Sequence, residues 1–245
     1  MNILILAGGG AKAALGDQTY PVWLSELDGS MAIERQVKAF SLGDARFVFA
    51  FRQADIDNHH VDSIAEQIAP GCGIVRVSRD TAGAACTALL AVGHIDPDDE
   101  LIVAGSTDHA DVDYGAILAD FRVRAADAGI LTFDSLHPRY SFVKLDADGW
   151  VVEAAEKRPI SRCANAGFYW YRRAGDFIDS LKAMILKDAQ VNGVFYLSPA
   201  MNELVLKGRR IATRHLAPEQ YQPLKDQRQV EVLEHRLEER ARHAT

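Results

Sequence analysis

Short apolar runs alternate with amphipathic stretches along the first half of the chain. The runs Asn2–Leu6, Arg46–Phe51, Gly73–Val77, Leu101–Ala104 and Ile130–Phe133 have the length and the β-branched and aromatic content of buried strands. Between them, Ser30–Phe40 places Met31, Ile33, Val37 and Phe40 near one helical face. Ile56–Ile68, Ala82–Val92 and Tyr114–Ala126 read as further helices, with Pro70 and Gly71 stopping the first of these three. A βαβα rhythm of this kind predicts a mostly parallel sheet with helices on both faces. Ligands of such sheets bind at the carboxyl ends of the strands.

The pattern changes in the second half. Ser141–Leu145 and Trp150–Ala154 flank "DADG" as the arms of a hairpin, and Ala166–Tyr171 is an aromatic strand. Asp176–Leu186 predicts a helix. Ser198 and Pro199 make a helix start that runs to a stop at Gly208. Arg209–His215 alternates as a half-exposed strand. The tail Asp226–His243 is a charged helix with a thin stripe of Val230, Leu233 and Leu237, which predicts packing on the domain or on a second subunit. No repeat or linker interrupts the 245 residues, so the expectation is a single domain, with a homodimer left open.

Composition narrows the classes of function. A net charge of -7, from 34 acidic against 27 basic residues, argues against sequence-independent nucleic-acid binding, which needs a basic face. No uncharged apolar run approaches the ~20 residues of a membrane span. The N-terminal stretch has neither the basic flank nor the long apolar region of a signal peptide. The three cysteines, Cys72, Cys86 and Cys163, are scattered without a CxxC, as in a reducing compartment. The expected location is the cytoplasm.

The chemistry starts in "LILAGGGAKAALGDQTYPVW", Leu4–Trp23. Gly8, Gly10 and Ala13 fit the dinucleotide pattern GxGxxA, but a dinucleotide loop should enter a helix at once, and here Gly16 and Pro21 intervene. Strand Arg46–Phe51 is followed by Arg52, where an NAD site would want an acid. No Gly-Lys-Ser/Thr is present for a Walker loop. What remains is a long glycine-rich loop whose backbone N–H groups form an anion nest, with Lys12 as a phosphate contact. The competing reading is a tight turn with a solvated lysine.

"LILAGGGAKA…YPVWLSELDGSMAIERQV" resembles the opening of the sugar-phosphate nucleotidyltransferases, the NDP-sugar pyrophosphorylases. The likeness continues in order through "TAGAACTALLA", "LIVAGSTDHA", "EAAEKRP", "ANAGFYWY" and "FYLSPAMNELV", to about Leu206. It implies a three-layer, Rossmann-like α/β fold with a mixed, mostly parallel sheet. It implies nucleotide contacts from Ala7, Gly8, Gly9, Gly10, Thr81 and Gly83, and Mg2+ on Asp108. It also implies a phosphate-binding Lys157, and acceptor contacts from Glu156, Arg158, Asn165 and Gly167. Two positions depart from the family pattern. The loop arginine has no exact match, Lys12 being the nearest cation. The Pro-Lys lysine is Val22, with Arg158 as a substitute, and Val22→Lys is the direct test of that alignment.

The implied reaction moves a nucleoside monophosphate from a nucleoside triphosphate to a sugar phosphate or similar small molecule, for surface polysaccharide or a comparable product. Its nucleophile is already anionic, so the protein must position two anions and neutralise their repulsion. Two rivals stand. A glycosyltransferase of the same fold would use Asp111 and Asp113 as a DxD metal pair, although two acids at a helix start are the blander reading. A non-catalytic relative would bind a nucleotide or sugar without turnover. Asn202 and Glu203 are minor candidates for supporting the metal or acceptor, and His109 for facing the ligand. His59 and His60 read as surface residues.

Overall fold

The computed structural model describes the backbone of residues 1–8, 12–15 and 18–243, and the side chains of 1–8 and 20–239. Its centre is a nine-stranded mixed sheet. In spatial order the main path runs Val151–Glu156, Ser141–Leu145, Cys163–Tyr171, Leu101–Gly105, Asn2–Leu6, Arg46–Arg52 and Gly73–Val77. The last four strands of that path are mutually parallel. Strand Cys163–Tyr171 runs against them and also pairs with Ala128–Asp134, which carries Ile211–His215 in parallel on its far side. The predicted three-layer α/β architecture is the observed one.

Period-two alternation explains the layers. Ile3 and Ile5 face one side of the sheet, with Phe47, Phe49 and Phe51, and pack under the helices Ala32–Phe40, Val61–Ile68 and Tyr114–Val123. Leu4, Val48 and Ala50 face the other side, under Ala84–Leu90, Ala174–Leu186 and Met201–Leu206. A third, smaller apolar cluster joins Val22, Leu27, Ala32 and Leu224 to Val230 and Leu233 of the C-terminal helix Gln227–His243. The stripe on that tail therefore packs on the chain itself. Among the described residues, no helix is long and apolar enough to cross a membrane.

Three departures from the sequence expectation stand out. The helix expected over Ile56–Ile68 is two helices, Gln53–His59 and Val61–Ile68, separated by His60 in the left-handed conformation at φ 50°. The glycine loop leads into a hairpin of Lys12–Leu15 and Gln18–Pro21, which the pattern of small residues did not announce. Tyr221–Pro223 adds to Asp108–Ala110 as a separate two-stranded ribbon, bringing the C-terminal segment beside the end of strand Leu101–Gly105.

Candidate active site

At the carboxyl ends of the parallel strands lies a cleft of about 870 Å³. Leu6 and Gly105 end its floor strands, and Gly8 opens the glycine loop at its edge. The Arg52 Nε–H donates to the Gly8 carbonyl at 2.7 Å, so the residue that spoils an NAD site here fastens the start of the loop. Thr81 and Gly83 line the same side. Thr81 Oγ1 lies 2.6 Å from Thr87 Oγ1 and donates to the Gly83 carbonyl at 3.0 Å. Gly83 adopts φ +132°, and a Cβ there would stand 2.3 Å from the Phe195 carbonyl oxygen. Glycine is thus required where this loop crosses the Phe195 backbone.

Asp108 sits just beyond strand Leu101–Gly105, with its side chain 14% exposed. Gln36 braces the turn, donating to the carbonyls of Gly105 at 2.9 Å and Asp108 at 3.3 Å. The Asp108 carboxylate accepts from the Tyr221 hydroxyl at 3.3 Å and pairs with the Lys225 ammonium. Lys225 also donates to Thr107 Oγ1 at 2.9 Å. On the opposite side the carboxylate meets Gly167, where strand Cys163–Tyr171 is bulged and φ is +80°. A Cβ at Gly167 would stand 2.4 Å from Asp108 Cγ. The bulge aims the strand's residues into the cleft, the usual use of such irregularities.

Asn165 and Glu156 form the far wall. Asn165 is 4% exposed; its Oδ1 accepts the Gly167 N–H at 2.8 Å, while its buried Nδ2 finds no partner among the described residues. Burial raises the Glu156 carboxyl to about 7, against the opposing charge of Lys157. Arg139, Tyr140 and Tyr196 complete this side.

The cleft thus brings together Gly8, Thr81, Gly83, Asp108, Glu156, Asn165 and Gly167. Other candidates stand elsewhere. Ala7 is fully buried in the core and does not line the cleft. Lys157 reaches it only through Tyr196, donating to that hydroxyl and lying 4.6 Å from the ring centroid. Arg158 pairs with Glu153 at 3.0 Å, away from the cleft, and supplies no substitute cation there. Gly9 and Gly10 lie outside the described residues, as does the Lys12 side chain.

The minor candidates take structural roles. Asp113 caps the helix Tyr114–Val123 by accepting the Ala116 N–H at 3.0 Å. Asp111 is exposed and lines a different hollow. Asn202 clamps the N–H and carbonyl of Ala154 at 2.8 and 2.9 Å, and Glu203 pairs with Lys187 at 2.7 Å. His109 turns away from the main cleft; burial pushes its imidazole down to about 4 and keeps it neutral. Val22 is fully buried in the apolar cluster under the C-terminal helix.

Sequence reasoning missed Lys225, Tyr221 and Arg139. Lys225 stands 117 positions from Asp108, just before the charged tail helix, where no motif marks it. The one local signal is Asp226–Gln229, a capping pattern that fixes where the helix begins.

Magnesium prefers carboxylate, water and phosphate oxygens in a regular octahedron. The donor set at Asp108 does not fit that ion. A lysine ammonium already covers the carboxylate.

No family model matches the sequence, and no curated protein matches it. Solved structures do. A nucleoside-diphosphate-sugar pyrophosphorylase from Vibrio cholerae RC9 superposes with a TM-score of 0.76 at 20% identity, covering 96% of this chain and 100% of that one. A protein described as a glucose-1-phosphate thymidylyltransferase from Bacillus anthracis, solved with a sucrose, gives 0.71 at 15% identity, covering 96% and 94%. The likeness is one of fold: the chain has the fold of the sugar-phosphate nucleotidyltransferases.

Proposed function

We propose that the chain transfers a nucleoside monophosphate from a nucleoside triphosphate to a phosphorylated small molecule, a sugar phosphate or a close analogue, releasing pyrophosphate. The observation that carries this reading is the cleft itself. One side presents a glycine-loop edge with Thr81 and Gly83, and the other presents the buried donor of Asn165 beside Glu156. Arg52, Arg139 and Lys225 stand on its lining as cations for phosphate.

In the step, an oxygen of the acceptor phosphate attacks the α-phosphorus of the triphosphate. The bond from that phosphorus to the bridging oxygen breaks, and pyrophosphate leaves with the electron pair. The nucleophile arrives ionised, so no side chain has to remove a proton. The protein's work is positioning and neutralisation. Asn165 Nδ2 would donate to an acceptor hydroxyl. Gly167, without a side chain, lets the ligand approach the backbone. The cations on the cleft lining take up the charge in this step, since the Asp108 carboxylate is already paired.

That pairing favours one other reading, a binding protein without turnover. Purified protein incubated with each common nucleoside triphosphate and a panel of sugar phosphates, with and without Mg2+, separates the two. Release of pyrophosphate dependent on both substrates is the expected result. A thermal shift with a triphosphate but no pyrophosphate release would replace the transferase reading with the binding one.

A further inference from the structure

We propose that Lys225 is the resident cation of the Asp108 wall of this cleft. It holds the position beside Asp108 that a divalent ion would otherwise take, and it offers its free donor to a phosphate ligand. The inference rests on the reading of the cleft as a phosphate site, but its first test does not.

The pair is built in by the fold. Pro223 registers opposite Asp108 in the ribbon, and the Leu224 N–H donates to the Thr107 carbonyl at 2.8 Å. Asp226 caps the final helix by accepting the Gln229 N–H at 2.9 Å. Gln229 Oε1 in turn accepts the Lys225 N–H at 2.6 Å, so both sides of the lysine's backbone are tied down. Behind it, fully buried Leu224 packs with Val230 and Leu233 against Val22 and Leu27. The docked helix therefore delivers the ammonium to Asp108.

The chemistry follows from charge and donor count. With Asp108 at 14% and Lys225 at 35% side-chain exposure, the pair is better shielded than a surface ion pair and is harder to displace. A second cation brought to the same carboxylate would also meet the ammonium's repulsion. An ammonium has three N–H donors. Among the described residues, two go to Asp108 and Thr107, and the third is left on the lining of the cleft. Val22 supplies no cation from the glycine-loop side, and Lys225 brings one from the opposite end of the chain.

The test is Mn2+ titration of the free protein, without nucleotide, followed by electron paramagnetic resonance. The wild type should bind no ion at Asp108. Lys225→Ala and the longer-stemmed Lys225→Met should each gain a site, at least about tenfold tighter than any wild-type binding. The site should vanish in Asp108→Asn combined with Lys225→Ala, and Lys225→Arg should behave as wild type. Binding in the wild type as tight as in Lys225→Ala, and lost in Asp108→Asn, would overturn the proposal, because the lysine would then be yielding to metal. No gained site in either neutral variant would overturn it too. A second measurement is tripolyphosphate binding in excess chelator. It should weaken about tenfold in Lys225→Met and be retained in Lys225→Arg. Equal binding by all three proteins would remove the phosphate contact. Absence of turnover with every triphosphate would count against the transferase alone and leave the Mn2+ result standing.

Discussion

The two walls of the cleft treat their polar groups in opposite ways. Around Asp108 the chain answers its own charge, with Lys225 and Tyr221 on the carboxylate and Gln36 on the turn behind it. Across the cleft, Asn165 Nδ2 has no partner among the described residues, and burial holds the Glu156 carboxyl up at about 7. A neutralised wall supports the fold with or without a ligand. An unanswered buried group destabilises the free protein and regains its hydrogen bond when a ligand arrives. The first wall is thus a finished piece of structure, and the second is where recognition is expected to occur.

The largest break in this contrast should come from behind the first wall. Val22→Lys puts an ammonium into a fully buried apolar cluster, where a charge without a partner costs about 4 kcal/mol. The expected outcome is a large fall in the urea midpoint and loss of the Asp108–Lys225 pair, because Leu224 and the C-terminal helix share that cluster. A gain of activity at unchanged stability would show that the segment after the glycine loop moves freely of the helix.

Gly167→Ala strikes where the walls meet. The new Cβ would combine a φ of +80° with a 2.4 Å approach to Asp108 Cγ. Backbone strain and overpacking together should destabilise by about 3 kcal/mol. Ligand binding should be lost on both sides, since the Gly167 N–H also holds Asn165. Native stability with intact binding would mean that the bulge relaxes and that the close approach is not a constraint.

Much of the frame was legible because it depends on local periodicity. Ile3 and Ile5 against Leu4 announce a strand buried on both faces, and Gly208, at φ +70°, ends its helix as expected. The carboxyl-end position of Gly8, Thr81 and Asp108 followed from the βαβ rhythm. What stayed hidden has non-local causes. His60 takes a left-handed turn inside a continuous helical pattern, which side-chain period alone does not register. Arg158 looked available, but Glu153, on the strand that ends two residues before it, takes it. Lys225 carried no signal because its partner lies 117 positions away, and only the docking of the C-terminal helix brings the two together.

The second wall can be probed with little damage to the fold. Asn165→Ser keeps a side-chain oxygen able to accept the Gly167 N–H and removes the Nδ2 donor without burying a charge. If that donor serves the ligand, affinity should fall about tenfold to a hundredfold, as when a charged or buried hydrogen bond is removed. The urea midpoint should shift far less than in Gly167→Ala. A variant that binds a sugar phosphate as the wild type does would place recognition elsewhere.

The smallest effect, and the most specific to the second wall, concerns Glu156 and pH. In the folded chain its carboxyl titrates at about 7, against 4.5 for an unperturbed glutamate, with burial as the cause. Between those values the folded state holds a proton that the unfolded state has released. Stability must therefore fall as pH rises through that window, with a slope of at most one proton. Glu156→Gln removes the fall, so the difference in urea midpoint between wild type and variant should widen from pH 5 to pH 8. A phosphate ligand should follow the same direction in the wild type, because the carboxylate that forms near neutrality repels it. Its affinity should drop about threefold to tenfold from pH 6 to pH 8, and stay flatter in Glu156→Gln. Parallel profiles for wild type and Glu156→Gln would mean that water reaches the Glu156 carboxyl freely, and the contrast between the walls would then rest on Asn165 alone.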